Sequence, residues 1–354
     1  MNTIYDVTII GGGPSGLFSA FYAGLRDMKT KIIESQPMLG GKVHVYPEKL
    51  IWDIGGMTPI TGQQLIDQSI SQALTFDPTV CVNTKVRTIG KEDNMFIITT
   101  ESGEKHFSKT VILAIGSGIV NHQKLEIEGA EKFENTNLFY SVRSLYDFKD
   151  KSILISGGGH AAIDWAHDLH GFAKDITVIY RGEKLSGHEA YIQKIKNNGT
   201  PILLNTQIKQ FVPSLNGSTI QQVILENTTT TEEKAIHVDA VLINHGFLKE
   251  RTIAFDDSIT VERDKERNYK VVTNGKCETS VPGLFAAGDI AEYPSKIHLI
   301  AGAYQDALHA VNSAKAYLDP TANPTARVSS HNETFDERNR EIFESRIKEK
   351  TTIK

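Results

Sequence analysis

Val7-Thr-Ile-Ile-Gly-Gly-Gly-Pro-Ser-Gly16 is the stretch on which the fold turns. Four residues with strand preference run straight into three glycines. An apolar segment to Leu25 follows, carrying Phe18, Ala20, Phe21 and Ala23, and then a second strand, Lys31-Ile-Ile-Glu34. Strand, glycine turn, helix and strand is the order a parallel sheet needs, and the glycines fall in the GxGxxG pattern. The three glycines act differently. Gly11 permits the tight turn, Gly13 lets a pyrophosphate approach the backbone, and Gly16 lets helix and strand pack closely. The helix start at Ser15 and Gly16 then offers free N–H groups and a partial positive charge to phosphates.

The pattern occurs twice. Ser152-Ile-Leu-Ile-Ser-Gly-Gly-Gly-His-Ala-Ala162 places Gly157, Gly159 and Ala162 in the three positions. An apolar helix through Ile163, Trp165, Ala166 and Leu169 follows, and then the strand Ile176-Thr-Val-Ile-Tyr180. A single copy is also an ordinary glycine turn. Two copies in full context define an α/β protein with two Rossmann-like, three-layer nucleotide-binding domains.

The copies differ where ribose is read. Glu34 stands 18 residues after Gly16, where a carboxylate accepts hydrogen bonds from both ribose hydroxyls and repels a 2′-phosphate. At the same offset after Ala162 stands Tyr180, followed by Arg181, whose guanidinium suits a 2′-phosphate through paired charge-assisted hydrogen bonds. Glu183 opposes that reading, and Lys184 and His188 support it. The first site fits FAD or NAD and the second NADPH. Read alone, Arg181 is also a solvated arginine at a strand end.

Composition narrows the class. The 354 residues fit two domains of about 150 residues each. With 40% hydrophobic and 23% charged residues the chain is not disordered. No run of apolar residues is long enough to span a membrane, and the N-terminus enters its first strand without a basic leader, so a cytoplasmic protein is expected. The net charge of -5, from 38 basic and 43 acidic residues, disfavours nucleic acid as a partner. Cys81 and Cys277 lie too far apart in sequence for a CxxC pair, and the spacing gives neither a disulfide framework nor a metal site.

Val281-Pro-Gly-Leu-Phe-Ala-Ala-Gly-Asp289 resembles the two-dinucleotide flavoprotein reductases. The resemblance implies that Asp289 contacts the ribityl chain of FAD, although alone it also reads as a helix cap before Ile290. Thr110-Val-Ile-Leu-Ala-Ile-Gly116 and Ala240-Val-Leu-Ile-Asn-His-Gly246 are similar to that family's inter-domain joints. They imply an NADPH-binding domain, 118–249, inserted into an FAD-binding domain, 1–117 and 250–320, with a C-terminal extension, 321–354. Between 200 and 280, turns rich in Asn and Thr predict short alternating strands.

Thioredoxin reductases of this architecture carry CxxC shortly before the second glycine motif, where this chain has Tyr140-Ser-Val-Arg-Ser144. Serines form no disulfide, so dithiol chemistry is excluded at this place. Over nearly the whole chain the sequence resembles instead the thioredoxin-reductase-like ferredoxin-NADP reductases of bacteria. Gly40-Gly-Lys42, Val45-Tyr-Pro-Glu-Lys49, Trp52-Asp-Ile-Gly-Gly56, Leu299-Ile-Ala-Gly302 and Arg327-Val-Ser-Ser-His-Asn332 carry the match.

That resemblance implies a homodimer in which Tyr46 stacks on one face of the flavin ring and His331 of the partner's extension covers the other. It implies FAD contacts at Gly41, Lys42, Val86, Val120 and Ser330, and places Ala301, at a helix start, near the flavin N1/O2 edge. Read alone, Tyr46 is a packed loop aromatic and His331 a solvated tail residue. The implied activity is electron transfer between NADPH and ferredoxin or flavodoxin, hydride to flavin N5 first and single electrons onward. An NADPH-dependent flavin or quinone reductase and a slow flavin redox sensor share these features. Beyond His331, Phe335, Ile342, Phe343 and Ile347 share one helical stripe among charges, the pattern of a surface helix packed on a neighbour.

Overall fold

Strand β1 (Ile4–Ile10) and strand β2 (Thr30–Ile33) pair in parallel, Val7 opposite Thr30 and Ile10 opposite Ile33, and helix α1 (Pro14–Leu25) joins them. Every residue of β2 is buried, as expected of a strand covered on both faces. The computed structural model describes residues 3–134, 136–250, 253–329 and 332–352. They fall into two compact units, the first made of Met1–Leu39, Ser69–Gly116 and Ile253–Lys354, the second of Gly40–Gln68 and Ser117–Thr252.

In the first unit β1 and β2 sit in an eight-stranded sheet with β3 (Thr79–Cys81), β4 (Val86–Glu92), β5 (Met95–Thr100) and β6 (Lys105–Leu113). The order is β4-β5-β6-β1-β2-β3; Ala254–Phe255 flanks β4, and Leu284–Ala286 pairs in parallel with the end of β6. Ile9, Ile32 and Ile112 face α1 through Leu17, Ala20 and Ala23 in one apolar cluster.

The second unit repeats the plan in smaller form. Five parallel strands run in the order β7 (Leu138–Phe139), β11 (Ala240–Ile243), β8 (Ser152–Ser156), β9 (Asp175–Ile179) and β10 (Ile202–Leu203). Helix α2 (His160–Asp168) joins β8 to β9. The expected short alternating strands form an antiparallel ribbon, Thr206–Pro213, Ile220–Asn227 and Glu233–His237.

Residues 40–68 group with this second unit, whereas the sequence assigned them to the first domain. One side-chain contact within that unit joins the two stretches. Lys49 pairs with Asp168 of α2, and its ammonium lies 4.2 Å from the centre of the Trp165 ring. Residues 321–354 group with the first unit rather than standing apart.

The chain returns to the first unit through Leu284–Ala286 and helix α3 (Ile300–Leu318), which packs Ala307, Ala310, Val311 and Ala314 inward. Helix α4 (Asp336–Thr352) follows, and Phe335 just before it meets the Phe76 ring at 5.6 Å. Ile342, Phe343 and Ile347 are 50%, 60% and 65% exposed, so the expected stripe is only partly covered by the described chain. Among the described residues no helix is long and apolar enough to cross a membrane.

Candidate functional site: two glycine-capped helix starts

A β-carbon on residue 16 would overlap the Gly11 carbonyl oxygen, so only glycine lets α1 approach the turn this closely. Gly11 itself has φ +108 and abuts the Ala114 carbonyl, which leaves no room for a side chain. Gly13 caps α1 without a side-chain hydrogen bond, and the first turn holds no acidic residue. The helix N–H groups therefore face outward with no internal acceptor, the arrangement a phosphate completes.

Glu34 lies just past β2 and is buried. Gly12 N–H donates to its Oε2 at 2.6 Å, while Ser35 Oγ and Gln36 N–H donate to Oε1 at 3.0 and 2.8 Å. The carboxylate thus braces the glycine turn and keeps acceptor capacity on Oε2, which fits a ribose hydroxyl.

The third part of this site comes from the C-terminal half of the unit. Asp289 lies in a short turn, Gly288–Ile290, capped by Ala287 rather than by the aspartate itself. Its carboxylate is 42% exposed and 3.9 Å from His298. Helix α3 begins after Leu299 with no side-chain cap and no acid in its first turn, and Ala301 is exposed there. Ser15 Oγ donates to the Ala303 carbonyl at 3.3 Å. This contact ties the starts of α1 and α3 together, and a β-carbon on Gly288 would lie 3.0 Å from that of Ser15. Gly11, Gly13, Ser15, Gly16, Glu34, Asp289 and Ala301 therefore share one end of the first unit.

In the second copy Gly159 caps α2, again without a side-chain bond or a first-turn acid, and the space beside its α-carbon is open. Gly157 is packed against the Asn244 carbonyl, and Ala162 is fully buried beside it. The Tyr180 ring lies over Gly158 and Gly182. Arg181 and Lys184 are exposed, and neither has a hydrogen bond or ion pair among the described residues. His188, whose ring is 4.4 Å from that of His160 at the start of α2, borders the same turn.

The same sheet edge shows what the sequence reading missed. Asn244 Oδ1 is buried with no partner, and His245 Nε2 is 2.8 Å from Ser156 Oγ. Desolvation of the His245 ring, and secondarily the Arg181 guanidinium, hold the imidazole below its usual pKa. An uncapped helix start and two unpaired cations fit the phosphates of a dinucleotide, and the orphaned Asn244 acceptor fits one of its hydroxyl or amide donors.

The remaining expected residues are dispersed. Gly41 and Lys42 open a short helical turn, Gly41–Val45, with Lys42 exposed and Tyr46 half-buried at its end. Val86 begins β4 inside the first unit's core. Val120 lies on Ile119–His122, which pairs with Phe247–Glu250. Ser330 and His331 lie outside the described residues. Cys277 is buried, and burial first, then Asp306, pushes its thiol up to about 12, far from a reactive thiolate. Among the described residues no group of three or more His, Cys, Asp or Glu is placed to hold a metal.

Two dinucleotide turns, each between parallel strands of its own sheet, define a two-nucleotide oxidoreductase. Residues 5–314 match the pyridine nucleotide-disulphide oxidoreductase family, and the chain belongs to it. It is 52% identical to the Bacillus mycoides protein named ferredoxin–NADP reductase 1, over 98% of this chain and 99% of that one. A Bacillus licheniformis protein of the same name is also 52% identical, over 96% and 97%. Among solved structures the chain is similar to the thioredoxin reductase of T. acidophilum (27% identity, TM-score 0.67, 90% and 99% of the two chains). It is likewise similar to that of Lactococcus lactis (26%, 0.65, 89% and 99%).

Proposed function

We infer that the chain is an FAD-containing, NADPH-dependent ferredoxin–NADP reductase, with ferredoxin or flavodoxin as its electron carrier. The observation that carries the reading is the pairing of two uncapped, glycine-led helix starts with serines in place of a dithiol, in a chain about half identical to ferredoxin–NADP reductases over nearly its full length. FAD, when bound, accepts a hydride from NADPH and releases electrons one at a time.

The protein supplies placement. The start of α1 binds the FAD pyrophosphate, Glu34 the adenosine ribose and Asp289 the ribityl chain. The exposed first turn of α3 directs N–H groups toward negative charge at the flavin N1/O2 edge. Gly157, Gly159 and Ala162 admit the NADPH pyrophosphate, and Arg181 with Lys184 binds the 2′-phosphate. Tyr46 covers one flavin face, and His331 of a second subunit the other, in a cytoplasmic homodimer. Gly41, Lys42, Val86, Val120 and Ser330 complete the FAD contacts.

The test is the absorbance spectrum of the purified chain, followed by anaerobic titration with NADPH and then with ferredoxin. The expected result is one FAD per chain, bleached by NADPH and reoxidised by ferredoxin faster than by free quinone. A chain that takes up no FAD, or whose reduced form ignores ferredoxin, refutes the assignment.

A further inference from the structure

The first unit contains a group of buried ionisable side chains that the nucleotide contacts leave unused. Asp306, in the second turn of α3, is fully buried, and the Lys296 side chain is 2% exposed. The Lys296 ammonium pairs with Asp306 Oδ2. Gly288 N–H donates to the same oxygen at 2.9 Å, and the Tyr293 hydroxyl donates to Oδ1 at 2.5 Å. Burial, and then the bond to Asp306, raise the Tyr293 pKa, so its hydroxyl remains a donor.

One carboxylate therefore gathers three donors, from the turn before Asp289, from Tyr293 and from Lys296. It does so on the helix whose first turn is Ile300 to Ala303. Gly288 has φ +78, and among the described residues its N–H has no acceptor besides Asp306. This carboxylate is thus a direct hydrogen-bond link between the Asp289 turn and α3, beside the packing on Ser15. Its charge matters as much as its geometry, because removing one partner of a buried ion pair leaves the other uncompensated in a region of low dielectric.

We propose that Asp306, with Lys296 as counter-ion, is the positioning residue for the flavin end of the FAD site. It holds the Asp289 turn against the start of α3 and neutralises the Lys296 cation behind it. The inference rests on the FAD reading above and adds a residue pair that the nucleotide motifs do not contain.

The experiment compares full-length parent, Asp306→Asn, Asp306→Glu and the double variant Lys296→Met/Asp306→Leu for FAD dissociation constant, flavin spectrum and midpoint potential. Asp306→Asn is expected to weaken FAD at least tenfold. It also leaves Lys296 uncompensated and so favours reduced flavin about tenfold, or about 30 mV for a two-electron couple. The double variant removes both charges, so the potential returns to the parental value while FAD stays weak, because Gly288 N–H has lost its acceptor. Asp306→Glu keeps the charge and recovers part of the affinity.

A folded Asp306→Asn chain with parental affinity and potential overturns the proposal. If that chain does not fold, the double variant decides: parental FAD affinity overturns the proposal, and weakened affinity at parental potential upholds it. A parent that binds no FAD at all overturns the functional reading and this inference with it, an outcome distinct from a parent and variants that bind FAD alike.

Discussion

Arg181→Ala is the substitution that most directly tests how the second nucleotide is read. The side chain is exposed and has no hydrogen bond or ion pair among the described residues, so its loss should leave folding unchanged within about 0.5 kcal/mol. Its effect on NADPH is of another size. Charge-assisted bonds are worth about 1.5–3 kcal/mol each, and exposure of the guanidinium brings a bidentate contact to the 2′-phosphate down to about 1.4–2 kcal/mol in total. That corresponds to a loss of about 10- to 30-fold in kcat/KM for NADPH. NADH, which lacks the phosphate, should change less than about twofold for the same reason. Gly182 follows Arg181 where a second cation could stand, so the discrimination rests on Arg181 and Lys184. Steady-state assays with each nucleotide, at several ionic strengths, give the two ratios. A second readout is independent of turnover: removing the guanidinium takes away one cause of the depressed His245 pKa, so the imidazole should titrate higher in the variant. Equal losses for NADPH and NADH would refute the reasoning.

Gly16→Ala should abolish FAD retention and destabilise the first unit by about 1–3 kcal/mol, because the new methyl overlaps the Gly11 carbonyl; Ala162→Gly in the second copy should cost about 1–2 kcal/mol, from helix propensity and one buried methyl, and leave FAD bound. Thermal melts of both variants check the contrast, and a Gly16→Ala chain that still purifies yellow contradicts it. Glu34→Gln turns an amide N–H₂ toward donors that now meet a carboxylate, so FAD should dissociate at least about tenfold more readily, measured by flavin release on dilution. Stability should fall on mild acidification. His106 is buried, and desolvation first, then the Lys31 ammonium 3.0 Å away, lower its pKa from 6.5. The folded chain then binds fewer protons than the unfolded one, so this contribution is complete above about pH 6.5 and is lost as pH falls through the folded pKa. Melting from pH 8 to 5 should show the decline, and His106→Gln, which keeps an acceptor for Lys31, should flatten it; an unchanged slope in that variant sinks the assignment.

The two nucleotide turns were legible because what specifies them is local. Gly16 is glycine since its neighbour five residues back leaves no room, and at the matching position Ala162 is accommodated, buried beside Gly157. Each fact is written within a dozen residues. Glu34 was legible for the same reason, its offset from Gly16 being set by the length of α1. Asp306 was not, because its partners come from Gly288, Tyr293 and Lys296 and only packing brings them together. One signal was present: Asp306 interrupts the stripe of Ala303, Ala307, Ala310, Val311 and Ala314, and a charge in an apolar helix face requires a buried partner. The grouping of 40–68 with the second unit could not be read at all. The contact between Lys49 and Asp168 that falls within this unit joins residues 119 apart in sequence.

The serines in place of a dithiol bear on how electrons pass from donor to acceptor. In a chain with a dithiol, the reduced disulfide stands between nucleotide and partner and selects for thiol chemistry. Here Ser141 and Ser144 occupy that stretch and the Cys277 thiol is pushed up to about 12, so no thiolate is available to act as a relay from either place. With the flavin as the only carrier between them, reduction by NADPH and delivery to the acceptor are expected to run as two half-reactions, the ping-pong order whose kinetics can be tested. In that arrangement kcat/KM for NADPH contains no step after the nucleotide has reduced the enzyme. The loss caused by Arg181→Ala should therefore be the same ratio whether ferredoxin, flavodoxin or a small artificial acceptor is supplied. A ratio that changed with the acceptor would mean that nucleotide and carrier are bound together, and the two half-reactions would have to be written as one ternary complex.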